Sequence, residues 1–297
     1  TSKLFIMGLP FAFWKSSAPA ISYLLDTYGG ASSAYSLRKL SASTSNVVRV
    51  RRSSDNAEQD FTPTEITDGT LTTFTGSGDG FVSVWYDQSG NSFDASQTSA
   101  TNQPQIINSG SLILQNGKPS IYTLGSKNLN TGLVSIGTNG DISLDFFAVI
   151  NNISSGKQEH LLGLSNNGFN TNRSRVFAFA NDTSSIKSVR LYGGNVVYSS
   201  SATGQLLFNT NYQGGGGAFD SRINANSLSV NSVNNSGLNI ASSSGFMLFN
   251  GNSGSPQLTD INPDSKGYVQ EAIFYLNDQT TNRAGIENNI NAEYTIY

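Results

Sequence analysis

The chain has 297 residues, enough for one large sandwich or two smaller domains. Only 12% of them are charged, about half the share of roughly 25% in an ordinary soluble domain, and the formal net charge is −3. That excludes a broad basic footprint for nucleic acid, and the absence of cysteine excludes disulfides and thiolate metal sites.

The chain opens on an apolar run, Leu4 to Trp14, too short to span a bilayer, which needs about 20 apolar residues. With Lys3 before it and Ala18-Pro19-Ala20 after, it has the form of a signal-peptide h-region. If retained, such a segment must be covered, either by its own sandwich or by a neighbouring subunit. Residues 1–20 are therefore expected to form an arm whose anchor is Leu4, Phe5, Ile6, Phe11, Phe13 and Trp14, and residues 21–297 one domain. Lys15 to Pro19 reads as the join between them.

Ile21, Leu24, Leu25 and Tyr28 have helical spacing, ended by Gly29-Gly30. Tyr35 to Leu40 and Val47 to Arg51 alternate as strands do, so the basic cluster Arg49-Val50-Arg51-Arg52 reads as a solvated strand face. Ser53 to Phe61 carries three carboxylates without EF-hand spacing, as a polar loop between strands does. Val84-Trp85-Tyr86 ends an apolar strand on a tight polar turn, Asp87-Gln88-Ser89-Gly90-Asn91, in which Gly supplies positive φ and Asp and Asn bond their own backbone.

Further strands are expected at Phe81 to Tyr86, Ser111 to Gln115, Leu144 to Ile150, Val176 to Ala180, Val189 to Tyr192, Val196 to Tyr198, Leu206 to Asn209, Leu228 to Val230, Gly245 to Phe249 and Tyr268 to Leu276. Gly193-Gly194-Asn195 marks a hairpin, and Gly214 to Gly217 a flexible loop. The one histidine, His160, sits beside Leu161 and Leu162 as an ordinary strand residue would. Asn277 to Thr281 offers a helix N-cap, and Ile286, Ile290 and Tyr294 recur every four residues on one face of a closing helix. Many short strands with few helices imply an all-β sandwich, and no fixed-period repeat argues for a propeller or solenoid.

The phrase Tyr86-Asp87-Gln88-Ser89-Gly90-Asn91 resembles a signature in the catalytic domain of B-type α-L-arabinofuranosidases. The likeness spans roughly residues 24–297 and sharpens at Ala34 to Arg38 with Arg51 to Asp55, at Trp85 to Asn91 with Asn116 to Pro119, and at the closing strand and helix. It implies a two-sheet antiparallel jelly roll of the concanavalin-A-like or laminin-G-like kind, with a short C-terminal helix. The phrases Val50 to Asp60 and Asn282 to Asn291 are also similar to domains of phage and prophage tail, spike and head-decoration proteins.

Retaining glycosidases need two carboxyl groups about 5–5.5 Å apart. The resemblance implies a nucleophilic Glu near Asn166-Asn167, yet no carboxylate lies between Glu159 and Asp182. It implies an acid/base Asp where Gly251-Asn252-Ser253 places Asn252, and the family's paired cysteines are missing. Amides cannot do this chemistry, though they suit sugar hydroxyls; Glu159, Asp260 or Asp264 could substitute only if loops moved. The expectation is a non-enzymatic virion surface or attachment protein, held to other virion proteins by its arm, homo-oligomeric, with no metal or cofactor and no nucleic-acid partner. A host-surface glycan would bind at Trp85, Tyr86, Asp87, Asn166, Asn167 and Asn252. For Trp85 itself, its alternation with Val82 and Val84 along a strand favours plain core. An arabinofuranosidase-like hydrolase and a bacterial extracellular carbohydrate-binding module are the alternatives.

Overall fold

The computed structural model describes residues 22–124, 127–132, 134–135, 140–141, 143–152, 159–166, 175–181, 187–191, 194–198, 204–214, 219–227, 230–232, 239–240, 243–248 and 266–297. The 1–20 arm with its six anchor residues, Asn167, Asn252, Asp260 and Asp264 lie outside them. The main strands, in chain order, are β1 (Ser33–Ser36), β2 (Val48–Arg52), β3 (Glu58–Phe61), β4 (Gly80–Trp85), β5 (Gln105–Asn108), β6 (Ile121–Leu124), β7 (Leu144–Asn152) and β8 (Glu159–Asn166). They continue with β9 (Arg175–Asn181), β10 (Lys187–Leu191), β11 (Gly194–Tyr198), β12 (Leu206–Tyr212), β13 (Phe219–Ile223), β14 (Ser243–Leu248) and β15 (Lys266–Tyr275). Four helices are described: α1 (Leu24–Thr27), α2 (Pro63–Thr67), α3 (Thr70–Thr75) and α4 (Arg283–Tyr294).

The fold is an all-β antiparallel sandwich. One layer runs β13–β12–β7–β15, through Phe208↔Ile223, Phe147↔Asn209 and Phe147↔Ile273. β1 and β6 share the far edge of β15, through Ala34↔Ile273 and Ile121↔Val269. The other layer starts as β3–β2–β4–β5, through Val48↔Phe61, Val50↔Val82 and Gly80↔Ile107. It passes by way of Ala95–Ser96 and Leu129–Asn130 to β14, β8, β9, β10 and β11. A single ladder pair, Tyr122↔Gln105, ties the layers along one side.

Sequence explains why β7 and β15 are central. Phe146-Phe147-Ala148-Val149-Ile150 is a continuous apolar run, as a strand buried on both faces requires. Phe146, Ala148 and Ile150 enter the core between the layers with Val50, Val82, Trp85, Phe208 and Phe274. Phe147 and Val149 point the other way, into a second cluster with Leu207, Ile273, Tyr275 and helix α4. Phe274 stacks at 4.5 Å from Phe146 and 4.9 Å from Phe246, joining the two layers through their rings.

The closing helix packs as its spacing predicts: Ile286, Ile290 and Tyr294 are buried against the back of β7, β12 and β15. Its neighbour Tyr28 lies so close that a Cβ on Gly285 would stand 2.0 Å from the Tyr28 hydroxyl, so any larger residue there must push the Tyr28 ring aside. Beneath the helix, the fully buried Glu271 takes a two-pronged bond from Arg38, at 2.7 and 3.0 Å, and a third bond from the Tyr294 hydroxyl at 3.2 Å.

One local expectation is corrected. The 277–281 segment does not cap α4, because the N-cap is Asn282, whose side chain makes no capping bond. Asp278 instead closes its own short turn, accepting from the Thr280 backbone N–H and hydroxyl. The helices α2 and α3 in the 63–75 stretch are not among the expected elements, although the sequence carries their signal: Thr62 and Glu65 form a capping box, with Pro63 at the first helical position. The three arginines of β2 are all partnered. Arg49 pairs with Asp60, Arg51 with Gln103 and Asn56, and Arg52 with Asp55.

Asp145 is the most unusual polar group of the core. It is fully buried on β7, where Oδ1 accepts from Asn209 at 2.6 Å, and Oδ2 accepts from Asn211 at 2.9 Å and the Gln279 backbone at 3.3 Å. Burial outweighs these donors and pushes its carboxyl up from 3.8 to about 7.

Two predictions follow from this packing. Ile290→Asp buries an unpaired charge and should cost roughly 3 kcal/mol or more, read as a lowered denaturation midpoint; an unchanged midpoint would contradict the helix placement. The folded chain also keeps the Asp145 proton that the unfolded chain releases. The stability this supplies is full below about pH 4 and is lost as pH rises through about 7, over about three pH units at about 1.4 kcal/mol each. Urea midpoints measured from pH 5 to pH 8 should therefore fall, and Asp145→Asn should remove that slope whatever its effect at pH 5.

Candidate functional site

The phrase that follows β4 is a clasp. The Asp87 carboxylate accepts four hydrogen bonds: Oδ1 from the backbone N–H of Ala34 at 2.8 Å and of Ser89 at 2.9 Å, Oδ2 from the Ser89 hydroxyl at 2.7 Å and the Phe93 backbone at 3.0 Å. Gln88, nearly buried, reads the next stretch of backbone. Its Oε1 accepts from Leu40 N–H at 2.8 Å, and its Nε2 donates to the carbonyls of Ser36 and Arg38. Asn91 donates to the carbonyls of Ala31 and Ser32, and Gly90 takes φ 92° to make the turn. The whole phrase therefore pins residues 31–40 to the end of β4.

This clasp forms one wall of an open cleft of 430 Å³. The 43–46 loop lines it as well, with Ser43, Ser45 and Asn46 exposed. Asp60 from β3, Tyr86 and Asp94 complete the lining used below. The sheet sets this placement, because Arg49 on β2 lies opposite both Asp60 and Val84. Arg49 grips Asp60 at 2.7 and 3.1 Å, and the Tyr86 hydroxyl donates to the same carboxylate at 2.7 Å.

These contacts separate the acids. The Arg49 guanidinium holds the Asp60 carboxyl below its ordinary range, so Asp60 is ionised. Burial, and then the bond to Asp60, pushes the Tyr86 hydroxyl up to about 12, so it stays a donor. Asp94 shifts the other way. Loss of solvent raises its carboxyl, the neighbouring Asp87 charge adds to this, and one bond from the Asp87 backbone N–H at 2.9 Å opposes it. Among the described residues no group of three metal-ligating side chains is gathered, and no helix is long and apolar enough to cross a membrane.

The cleft brings together only part of the site expected from sequence. Tyr86 lines it with a partly exposed ring. Asp87 lines it too, but with both carboxylate oxygens occupied by the clasp. Trp85 is corrected: with no exposure it faces the interlayer core, its ring 5.9 Å from that of Tyr35, where no sugar can reach it. Asn166 ends β8, while Asn167 and Asn252 lie outside the described residues. Sequence reasoning missed Asp60, Asp94 and the 43–46 loop. The usable signal for Asp60 was its place opposite Arg49 across the Ser53–Ala57 turn; nothing local marked Asp94.

Because four donors depend on one carboxylate, Asp87→Ala leaves buried backbone groups unpaired. It should cost about 2–4 kcal/mol and open the 31–40 segment, seen as faster amide exchange at Ala34 and Leu40. Protection equal to that of the parent chain would show that the clasp is dispensable.

No family model matches the chain, and no curated protein matches it. Solved structures do. A GH54 α-L-arabinofuranosidase soaked with a cyclic sulfate inhibitor superposes with a TM-score of 0.62 at 16% identity, over 88% of this chain and 62% of that one. An arabinofuranosidase complexed with arabinofuranosyl-α-1,2-xylobiose gives 0.59 at 16% identity over the same shares. A Trypanosoma rangeli sialidase mutant displaying trans-sialidase activity gives 0.50 at 12% identity, over 71% of this chain and 31% of that one. This chain thus spans 62% of the length of the arabinofuranosidases it resembles, and what it shares with them is the β-sandwich fold.

Proposed function

We propose that this sandwich is a glycan-recognition domain that binds carbohydrate in the cleft between the 43–46 loop and the clasp. The observation that carries the reading is the cleft itself. It offers the partly exposed ring of Tyr86 for the apolar face of a sugar, and hydroxyl, amide and carboxyl groups for its hydroxyls. A fold shared with arabinofuranosidases supports it. The finer form of the proposal places the domain on a virion surface, held by the apolar 1–20 arm, homo-oligomeric and facing a host-surface glycan. Its support is the apolar run from Leu4 to Trp14 and the likeness of the Val50 to Asp60 and Asn282 to Asn291 phrases to phage structural proteins.

A second reading, glycoside hydrolysis, is favoured by one observation. Asp60 and Asp94 share the cleft and are shifted in opposite directions, as an acid and a base are. Against it stand Asn166-Asn167 and Asn252, amides at the positions where the resemblance implies carboxylates. The test is a glycan array read beside turnover of aryl arabinofuranosides and arabinan. The expected result is binding without turnover, with Tyr86→Ala weakening the binding about tenfold or more, the scale of a lost sugar–aromatic contact. Turnover that disappears in Asp60→Asn or Asp94→Asn would replace recognition by hydrolysis.

A further inference from the structure

We infer that the cleft selects uncharged, hydroxyl-rich sugars against acidic ones, and that Asp94 is the side chain that anchors them. This deepens the glycan-recognition reading and rests on it.

The first ground is charge. Asp60, Asp87 and Asp94 all line the cleft, and among the described residues no lysine or arginine lines it. The guanidinium that meets the cleft's Asp60, that of Arg49, is already engaged by it through two of its nitrogens. A sialic or uronic acid carboxylate entering here would meet like charge, with the Arg49 cation already paired to Asp60, whereas a neutral sugar brings hydroxyls whose protons carboxylates accept. Discrimination by an unanswered charge is effective because the wrong ligand must also give up its hydration.

The second ground is the state of each carboxylate. Asp87 accepts four bonds from the protein, filling both oxygens. Asp60 accepts two bonds from Arg49 and one from Tyr86. Asp94 accepts one, on Oδ1 from the Asp87 backbone, and is exposed on the cleft side. Its Oδ2, which accepts no bond from the described residues, is therefore the most open of these acid oxygens for an incoming hydroxyl. Asn46 and Ser45, exposed in the same lining, offer further amide and hydroxyl groups to the ring. The 430 Å³ volume falls within the range of roughly 300–1,000 Å³ seen for ligand pockets.

The test uses the full chain against immobilised neutral polysaccharides (arabinan, xylan and mannan) and acidic ones (polysialic acid and polygalacturonate), with Asp94→Asn in parallel. Asn keeps an oxygen for the Asp87 backbone, so the fold should hold, and a thermal melt checks it. The expected result is binding to at least one neutral polymer, at least tenfold weaker binding to both acidic ones, and about a tenfold or greater loss of neutral binding in Asp94→Asn. Equal or stronger binding to the acidic polymers would overturn the selectivity and leave glycan recognition standing. Neutral binding unchanged in a folded Asp94→Asn variant would overturn the anchor. Binding to none of the five polymers would overturn both this inference and the reading beneath it.

Discussion

The structure depends on one strand that must satisfy two cores at once. β15 has β7 on one side and β1 with β6 on the other, so its backbone is paired along both edges. Val269, Ala272 and Phe274 face the space between the layers, and Ile273 and Tyr275 face α4. A bulge opposite Val149 and Ile150 resets the alternation partway along. The one charged side chain of its buried stretch, Glu271, survives there because Arg38 meets it with two bonds and Ser36 and Tyr294 add more. A slip of one residue would drive Glu271 into the interlayer core and Phe274 toward the helix.

That constraint is why so much of the architecture was legible in the sequence. Apolar runs such as Phe146 to Ile150 and Ala272 to Phe274 announce strands buried on both faces, and the spacing of Ile286, Ile290 and Tyr294 announces a helix with one buried stripe. Periodicity reports burial, and burial is what positions these elements. The parts that were not legible are governed by something else. Asp278 has the composition of a helix cap yet closes a separate turn, because local hydrogen bonding admits both uses. Trp85 has the composition of a sugar platform yet fills core, as its alternation with Val82 and Val84 indicates.

The site divides in the same way. The Asp-Gln-Ser-Gly-Asn phrase stands out in the sequence because a clasp needs specific donors and acceptors in consecutive residues. What it clasps is its own chain, some fifty residues back, so a recognisable motif marks structure more directly than chemistry. The groups left open toward the cleft, Asp94 and the 43–46 loop, come from stretches with no pattern of their own. Their proximity arises only once β2, β3 and β4 are paired. No local reading could assemble them, because the information lies in the register between strands.

The two walls of the cleft are held by different means. The 86–94 side is bolted to β1 and to the backbone of 36–40, so a change there disturbs the frame of the molecule. The 43–46 side is a short exposed loop, and the chain is fixed again just beyond it, where Val47 bonds Phe61 and receives Tyr86. Residues can therefore be exchanged or inserted in that loop while the sheet beneath keeps its register. One scaffold of this kind can supply a series of receptors that differ in what they hold and melt alike, because the residues that shape the mouth are not the residues that keep it closed.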